Sequence, residues 1–453
     1  MTREREQWGS RVGFILAAAG STVGLGNIWR FPYVAGQNGG AAFTLVYLAC
    51  LLVVALPILL AEFAIGRKTQ LNPVGAFRTL AKRPAWKWVG FLGVSAAFVI
   101  LAFYAVVGGW TMNYTWLAIK GTFNEFVPGS DLAGQMFDSF TTSPIRPVVW
   151  HLIFMGLCIL IIAKGVKGGI ERWSKILMPL LLAILLILVI RGITLKGSME
   201  GIRFLFQPKW GDLGTSGVMQ ALGQSFFTMS LGMGAMITYG SYLRRDSDLV
   251  KSAFWVIILD TSIALLAGVA IFSAVFAFGQ NPAGGDGLVF MVLPTLFPQI
   301  PGGRVFAVFF FFLLFVAALT SAISILEVVT AYFIDEKKWS RPVATYTFGG
   351  IIALVGVFAS LSKGEFNILN PITQQSFFSF LEDFSAGYML PIGGLLTAIF
   401  ILVQWKVPNF IEELRTGSTW FKVPKYLAMA FFIIAGSVVA YILFDAVLEL
   451  FTS

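Results

Sequence analysis

The sequence predicts an all-α polytopic membrane protein of eleven transmembrane helices. The first ten form an inverted repeat of five plus five, with helices 1 and 6 unwound. Three observations carry that prediction. The 453 residues are 57% hydrophobic and only 12% charged, where soluble domains carry about 25% charged residues. Eleven apolar segments long enough to cross a bilayer lie at roughly 11–37, 41–66, 88–119, 147–163, 171–191, 217–243, 249–279, 304–335, 340–360, 375–404 and 424–450. Two of them, the first and the sixth, are interrupted by closely spaced glycines at corresponding places in successive sets of five. Such interruptions mark the binding site of inverted-repeat transporters. Because five is odd, the two sets have opposite topology. The predicted units are therefore 1–191, 217–404 and a final helix at 424–453.

The first segment carries Gly20-Ser21-Thr22-Val23-Gly24-Leu25-Gly26-Asn27, then Ile28-Trp29-Arg30-Phe31-Pro32. Each glycine costs a helix about 1 kcal/mol against alanine. An unpaired backbone group in hydrocarbon costs several more, so a broken helix persists only where it lines a cavity or is buried in protein. Gly20 and Gly24 also have the spacing of a close helix contact. Gly26, Asn27 and Arg30 favour a binding site instead.

In the fifth segment Pro179 lacks a backbone donor, which permits a kink or local unwinding after Gly168-Gly169. A static bend is the plainer alternative. The sixth segment repeats the first segment's signature in Ser230-Leu231-Gly232-Met233-Gly234-Ala235, preceded by Gln224, Ser225 and Thr228. The seventh places Asp260 among aliphatic residues. A carboxylate there costs about 2.5–3.5 kcal/mol even on the mild insertion scale, so it marks function by default. In the eighth, Ala317, Thr320 and Ser321 share a helical face. Their hydroxyls either bond back within the helix or, with carbonyls of a broken helix, ligate a small hard cation. Glu62 and Glu327, nearer the inner ends, suit structural or gating roles.

The net charge of +9 is a topology signal. With the N-terminus in the cytoplasm, most of the 32 Lys and Arg fall in inner segments, such as Arg67 to Lys87 and Lys164 to Lys175. This leaves little for a nucleic-acid reading and puts the C-terminus outside a plasma membrane that the chain crosses many times. The opening residues carry mixed charges with no cleavage pattern, so no signal peptide is expected. Cys50 and Cys158 give neither a disulfide framework nor a metal spacing, and His151 is the only histidine. An intramembrane enzyme would have to draw on Gly223-Gln224-Ser225-Phe226 with His151 as its base, a weak motif with a remote partner. An ion channel shares the polar residues but requires neither paired amide ends nor a lid. No phosphate loop occurs, which leaves an ion gradient as the energy source.

At these residues the sequence resembles the neurotransmitter:sodium symporter family, and within it the bacterial leucine and multi-hydrophobic amino-acid transporters. The likeness rests on the run through Arg30-Phe31-Pro32, on Gln224 to Ala235 and on Ala317 to Ser321. The resemblance implies two sodium sites. The first would use Thr22 through its backbone, Asn27, Thr228, Asp260 and the substrate carboxylate. The second would use the carbonyls of Gly20, Val23 and Ala317 with the hydroxyls of Thr320 and Ser321. The substrate carboxylate would meet the Leu25 and Gly26 amides and Tyr104. Its ammonium would face carbonyls near Phe227, Thr228 and Ser230. Ile100, Phe227, Met233, Ser324 and Ile325 would line the side-chain pocket. Arg30 and Asp383 match an outer gate with Phe227 as lid; Arg5, Tyr242 and Asp335 match an inner one.

Two departures stand out. Asp260 replaces the Asn of the leucine transporters, and Ala264 replaces their chloride-substituting Glu, with Tyr47 and Gln224 lining the same locus. No chloride requirement is therefore expected. The other departure is eleven spans where the family has twelve. The implied function is sodium-coupled import of neutral hydrophobic L-amino acids by alternating access, by a monomer or weak homo-oligomer.

Overall fold

The computed structural model describes residues 5–126, 131–283, 287–364, 375–418 and 424–452, and every long element is a helix. In chain order these are α1 (Arg11–Thr22), α2 (Gly26–Gln37), α3 (Ala41–Thr69), α4 (Pro73–Leu80), α5 (Pro84–Lys120), α6 (Leu132–Thr141), α7 (Arg146–Ala163), α8 (Val166–Ile193) and α9 (Ser198–Phe206). They continue as α10 (Thr215–Thr228), α11 (Ala235–Gly240), α12 (Leu249–Ala277), α13 (Leu288–Gln299), α14 (Gly303–Lys337), α15 (Arg341–Leu361), α16 (Phe377–Trp405), α17 (Val407–Arg415) and α18 (Lys425–Thr452).

Local chemistry sets many of the ends. Ser10 caps α1 by accepting from Gly13 N. Asn72 caps α4 through Val74 N and Gly75 N, and Asp248 caps α12 through Lys251 N. Each supplies an oxygen to a helix N–H that has no partner within its own helix. Gly121, at φ +80°, ends α5. The long helices show no polar face because their surroundings are protein or lipid on every side.

The core is built on α5 and α14, which pack along each other; α1 lies against α8, α12 and α14. The most apolar stretches of α5 and α14 are 72% buried, against 39% in α7 and α8. The first pair forms the interior, and the second presents its outer surface to lipid.

Among the described residues, eight helices are long and apolar enough to cross a membrane, and nine if α1 and α2 are one bent span. Two of the eleven expected spans fall outside that count for physical reasons. The sixth is cut into α10 and α11, each too short alone. The eleventh lies in α18, whose apolar part Lys425–Tyr441 is short; side chains at 442 and 445–452, like residues 1–4 and 453 of the expected units, lie outside what is described.

Candidate functional site

The first break spans Val23 to Leu25, where the chain leaves the α-helix and bends by 50° into α2. The second spans Met229 to Gly234 and includes three residues in the left-handed region: Ser230 (φ +52°), Gly232 (φ +79°) and Gly234 (φ +76°). The two breaks face each other. Ser230 Oγ donates to Ser21 O at 2.9 Å, and a Cβ on Gly26 would lie 3.1 Å from the Phe227 ring.

Between them is a small cavity lined by Ser21, Thr22, Gly24, Gly26, Ile100, Tyr104, Phe227, Ser230, Met233, Ser321 and Ile325. Tyr104 Oη accepts from Leu25 N at 3.2 Å, so the phenol marks where the exposed amides of the first break point. Of the residues assigned to substrate by resemblance, Leu25, Thr228 and Ser324 do not line this cavity. Leu25 contributes its amide, and Thr228 faces Asp260. Ser324 Oγ accepts from Ser21 Oγ at 2.7 Å and donates to Ser321 O. Ser21 and Gly24 line the cavity without having been singled out as pocket residues. Gly24 is there because nothing larger fits: a Cβ would sit 2.4 Å from Ser321 Oγ and 2.7 Å from Tyr104 Oη. Its GxxxG spacing pointed to close packing but could not show what it packs against.

Two oxygen clusters flank the cavity. In the first, Asp260 is fully buried and receives Asn27 Nδ2 at 2.9 Å and Thr228 Oγ1 at 3.2 Å. No ion pair to Asp260 occurs among the described residues. Asn27 Oδ1 accepts from Gly24 N at 3.2 Å, bracing the break, while Thr22 Oγ1 donates to Ala19 O. Tyr47 Oη, also buried, faces Thr228 and Asp260 without a hydrogen bond of ordinary geometry, and Ala264 lies one helical turn beyond Asp260.

In the second cluster Ser321 Oγ lies 3.3 Å from both Gly20 O and Val23 O and 3.0 Å from Ser21 O. Thr320 Oγ1 donates to Ala317 O at 3.0 Å, and a Cβ on Gly20 would lie 3.3 Å from Thr320 Cβ. Three oxygens assigned to the second sodium site, those of Gly20, Val23 and Ser321, thus lie together, and Thr320 with Ala317 O is packed beside Gly20. Thr320 back-bonds within α14, to Val316 O and Ala317 O, whereas Ser321 reaches across to the carbonyls of the first break.

A charged cluster stands at one end and Arg30 at the other. Arg5 Nη1 pairs with Asp335 Oδ2 at 2.5 Å, Arg5 also donates to Ser241 Oγ, and its guanidinium lies 4.8 Å from the Tyr242 ring centre. Asp335 Oδ2 accepts from Asn72 N as well, at 2.8 Å. Tyr242 Oη donates to Glu327, which also holds Arg341. At the other end Arg30 Nη1 donates to Gln224 Oε1 at 3.2 Å, and its guanidinium lies 5.2 Å from the Phe227 ring centre. Gln224 Nε2 in turn donates to Gly26 O at 2.7 Å. Arg30 and Asp383 are not joined among the ion pairs of the described residues; Asp383 is exposed on α16. Glu62, fully buried, accepts from Gly232 N at 2.8 Å and pins the second break. His151 Nε2 lies 2.9 Å from Ala353 O, a packing role remote from the cavity.

Two helix breaks facing each other across a cavity, with a buried carboxylate without a basic partner beside them, are the arrangement expected of a small-ligand site inside a membrane. The model of the sodium:neurotransmitter symporter family matches residues 5–124 and 137–452. The chain is 39% identical to the sodium-dependent transporter YhdH of Bacillus subtilis, over 93% of this chain and 94% of that one. It is 38% identical to a sodium-dependent transporter of Haemophilus influenzae, over 88% and 89%. It also superposes on the crystal structure of MhsT in complex with L-phenylalanine with a TM-score of 0.89 and 46% identity, covering 98% of this chain and 100% of that one. The chain belongs to the sodium:neurotransmitter symporter family, and is a transporter rather than an enzyme.

Proposed function

We propose that this transporter imports neutral hydrophobic L-amino acids, aliphatic and aromatic, together with two sodium ions by alternating access, without a chloride requirement. The observation that carries the reading is Asp260, fully buried at the junction of the two breaks with no basic partner. An unpaired carboxylate in that setting costs several kcal/mol, which a bound cation offsets. Sodium suits the donors, since Asp260, Thr228, Asn27, Thr320, Ser321 and the backbone carbonyls are all hard oxygens.

The Leu25 amide and Tyr104 suit the substrate carboxylate at the positive end of a half-helix. Ile100, Phe227, Met233 and Ile325 suit an apolar side chain, with Met233 the most adaptable of them. MhsT was solved with phenylalanine, which supports aromatic substrates. Asp260, with Tyr47 beside it, supplies fixed negative charge where an anion would otherwise be needed, and Ala264 offers no donor to hold one.

In this reading the N-terminus is cytoplasmic and the C-terminus extracellular, with eleven crossings of the plasma membrane. Units 1–191 and 217–404 are the two inverted repeats, and 424–453 stands apart. The transporter works as a monomer or weak homo-oligomer. Arg30, Phe227 and Asp383 close the outer side, Arg5, Tyr242 and Asp335 the inner. Uptake of labelled leucine or phenylalanine into proteoliposomes, with the twenty amino acids as competitors, tests it. Saturable uptake that stops when potassium replaces sodium is expected; uptake indifferent to that exchange contradicts the symport reading.

A further inference from the structure

The N-terminal segment and the start of α8 are joined by two glutamates that act in opposite directions. Glu171, in the first turn of α8, accepts from Gly9 N through Oε2 at 2.6 Å and from Ser10 Oγ through Oε1 at 2.9 Å. Ser10 is itself the N-cap of α1. In return, Glu6 on the N-terminal segment accepts through Oε2 from Val166 N at 2.6 Å. Val166 opens α8, and the residue before it, Gly165, has no side chain with which to cap it. Glu6 thus caps the start of α8, while Glu171 holds in place the N-cap of α1 and the residue before it. Within one helix this exchange is the capping box; here it joins residues about 160 apart in sequence.

The packing is shaped around this exchange. A Cβ on Gly13 would lie 2.2 Å from Glu171 Oε1, so that position must be glycine or the carboxylate must move. Glu171 is 3% exposed, and its remaining partner is Lys175, 2.6 Å from Oε1. Glu6 is held from its other side by Arg341 Nε at 3.0 Å. Both carboxylates also face positive helix N-terminal ends, where anionic charge is stabilising.

We propose that Glu6 and Glu171 are positioning residues of the transport cycle, coupling the release of α1 to the loosening of the first turn of α8. If α1 leaves, Glu6 goes with the N-terminal segment and the Val166 N–H loses its cap. If the first turn of α8 opens, Glu171 turns away and Gly9 and Ser10 lose theirs. Neither movement completes at full cost without lowering the cost of the other, because the second set of caps is already broken. The proposal rests on alternating access but not on which amino acid is carried.

Hydrogen exchange on the purified full chain, in potassium without amino acid, tests it with Glu171→Gln and Glu6→Gln. The local effect is trivial: Glu171→Gln exposes Gly9 to Gly13, and Glu6→Gln exposes Val166. Coupling requires the crossed effect. Exchange at Val166 to Ile170 should rise roughly five- to thirtyfold in Glu171→Gln, and at Gly9 to Gly13 by a similar factor in Glu6→Gln. The double variant should add little to either. Acceleration confined to the directly uncapped amides, or additive effects in the double variant, overturns the proposal. Glu6 is half-exposed, so its variant folds even if Glu171→Gln proves unstable. Sodium-dependent amino-acid binding by the wild type in the same preparation tests the functional reading separately.

Discussion

The two breaks in the membrane helices are built differently. The first interrupts α1 and α2 over three residues without a left-handed backbone angle, and is held by side chains from elsewhere: Tyr104, Gln224 and Ser321. The second runs over six residues with three left-handed ones, and is held chiefly by Glu62 at Gly232 N and by its own contact with Ser21 O. The first break is a presentation device: it sets the Gly20 and Val23 carbonyls against Ser321 Oγ and the Leu25 amide against Tyr104 Oη. The second is a shape device, whose backbone strain positions Phe227 and Met233 around the cavity. In the proposed function ligation depends on the partners of the first break, whereas the fold itself depends on the angles of the second.

The sharpest way to separate them is Gly232→Ala. A Cβ there meets Leu390 O at 2.3 Å and must adopt φ +79°. Backbone strain of this kind costs about 1–3 kcal/mol before the clash is counted. Loss of folded protein, read as a lowered Tm in detergent, is expected; a wild-type Tm would show that this break tolerates side chains. Gly24→Ala should lower Tm less, because the atoms its Cβ would meet belong to the Ser321 and Tyr104 side chains rather than to backbone. Overpacking worth about 1–3 kcal/mol should still weaken sodium-dependent amino-acid binding roughly ten- to hundredfold. Equal damage to stability and binding would erase the distinction between the breaks.

A smaller effect is expected at α8. Its first six residues, Val166 to Glu171, form a wide π-helical turn ahead of Pro179. If that turn opens the second sodium cluster inward, Pro179→Ala should slow turnover severalfold more than it weakens binding. Equal effects would mark a static bend. Smallest of all, Ser230→Gly should relieve left-handed strain of about 1–2 kcal/mol while deleting the bond to Ser21 O. Tm should stay level or rise while substrate affinity falls by less than about tenfold. A fall in both would mean that the hydroxyl, not the strain, holds the second break.

Much of this was readable in the sequence because glycine and buried charge are loud signals in hydrocarbon. Gly20 to Asn27 and Ser230 to Ala235 announced the breaks, and Asp260 announced a buried carboxylate. Convergence was silent: periodicity shows which residues share a face of α14, but not that Ser321 reaches Gly20 O. Ser21 and Gly24 were hidden for the same reason, since their role in the cavity exists only once Ser324 and Tyr104 arrive. The contacts of Glu6 at Val166 and of Glu171 at Gly9 and Ser10 could not be seen either, because each joins segments about 160 residues apart. The span count suffered from the site itself, since the break that makes α10 and α11 functional also makes each too short to register as a crossing.

The central claim is that Asp260 is both sodium ligand and resident negative charge. Uptake of labelled phenylalanine into proteoliposomes, measured with chloride present or replaced by gluconate, tests it in the wild type and in Asp260→Asn. The wild type should require sodium and ignore chloride, while Asp260→Asn should transport only when chloride is added. Chloride-independent uptake by Asp260→Asn would contradict the account.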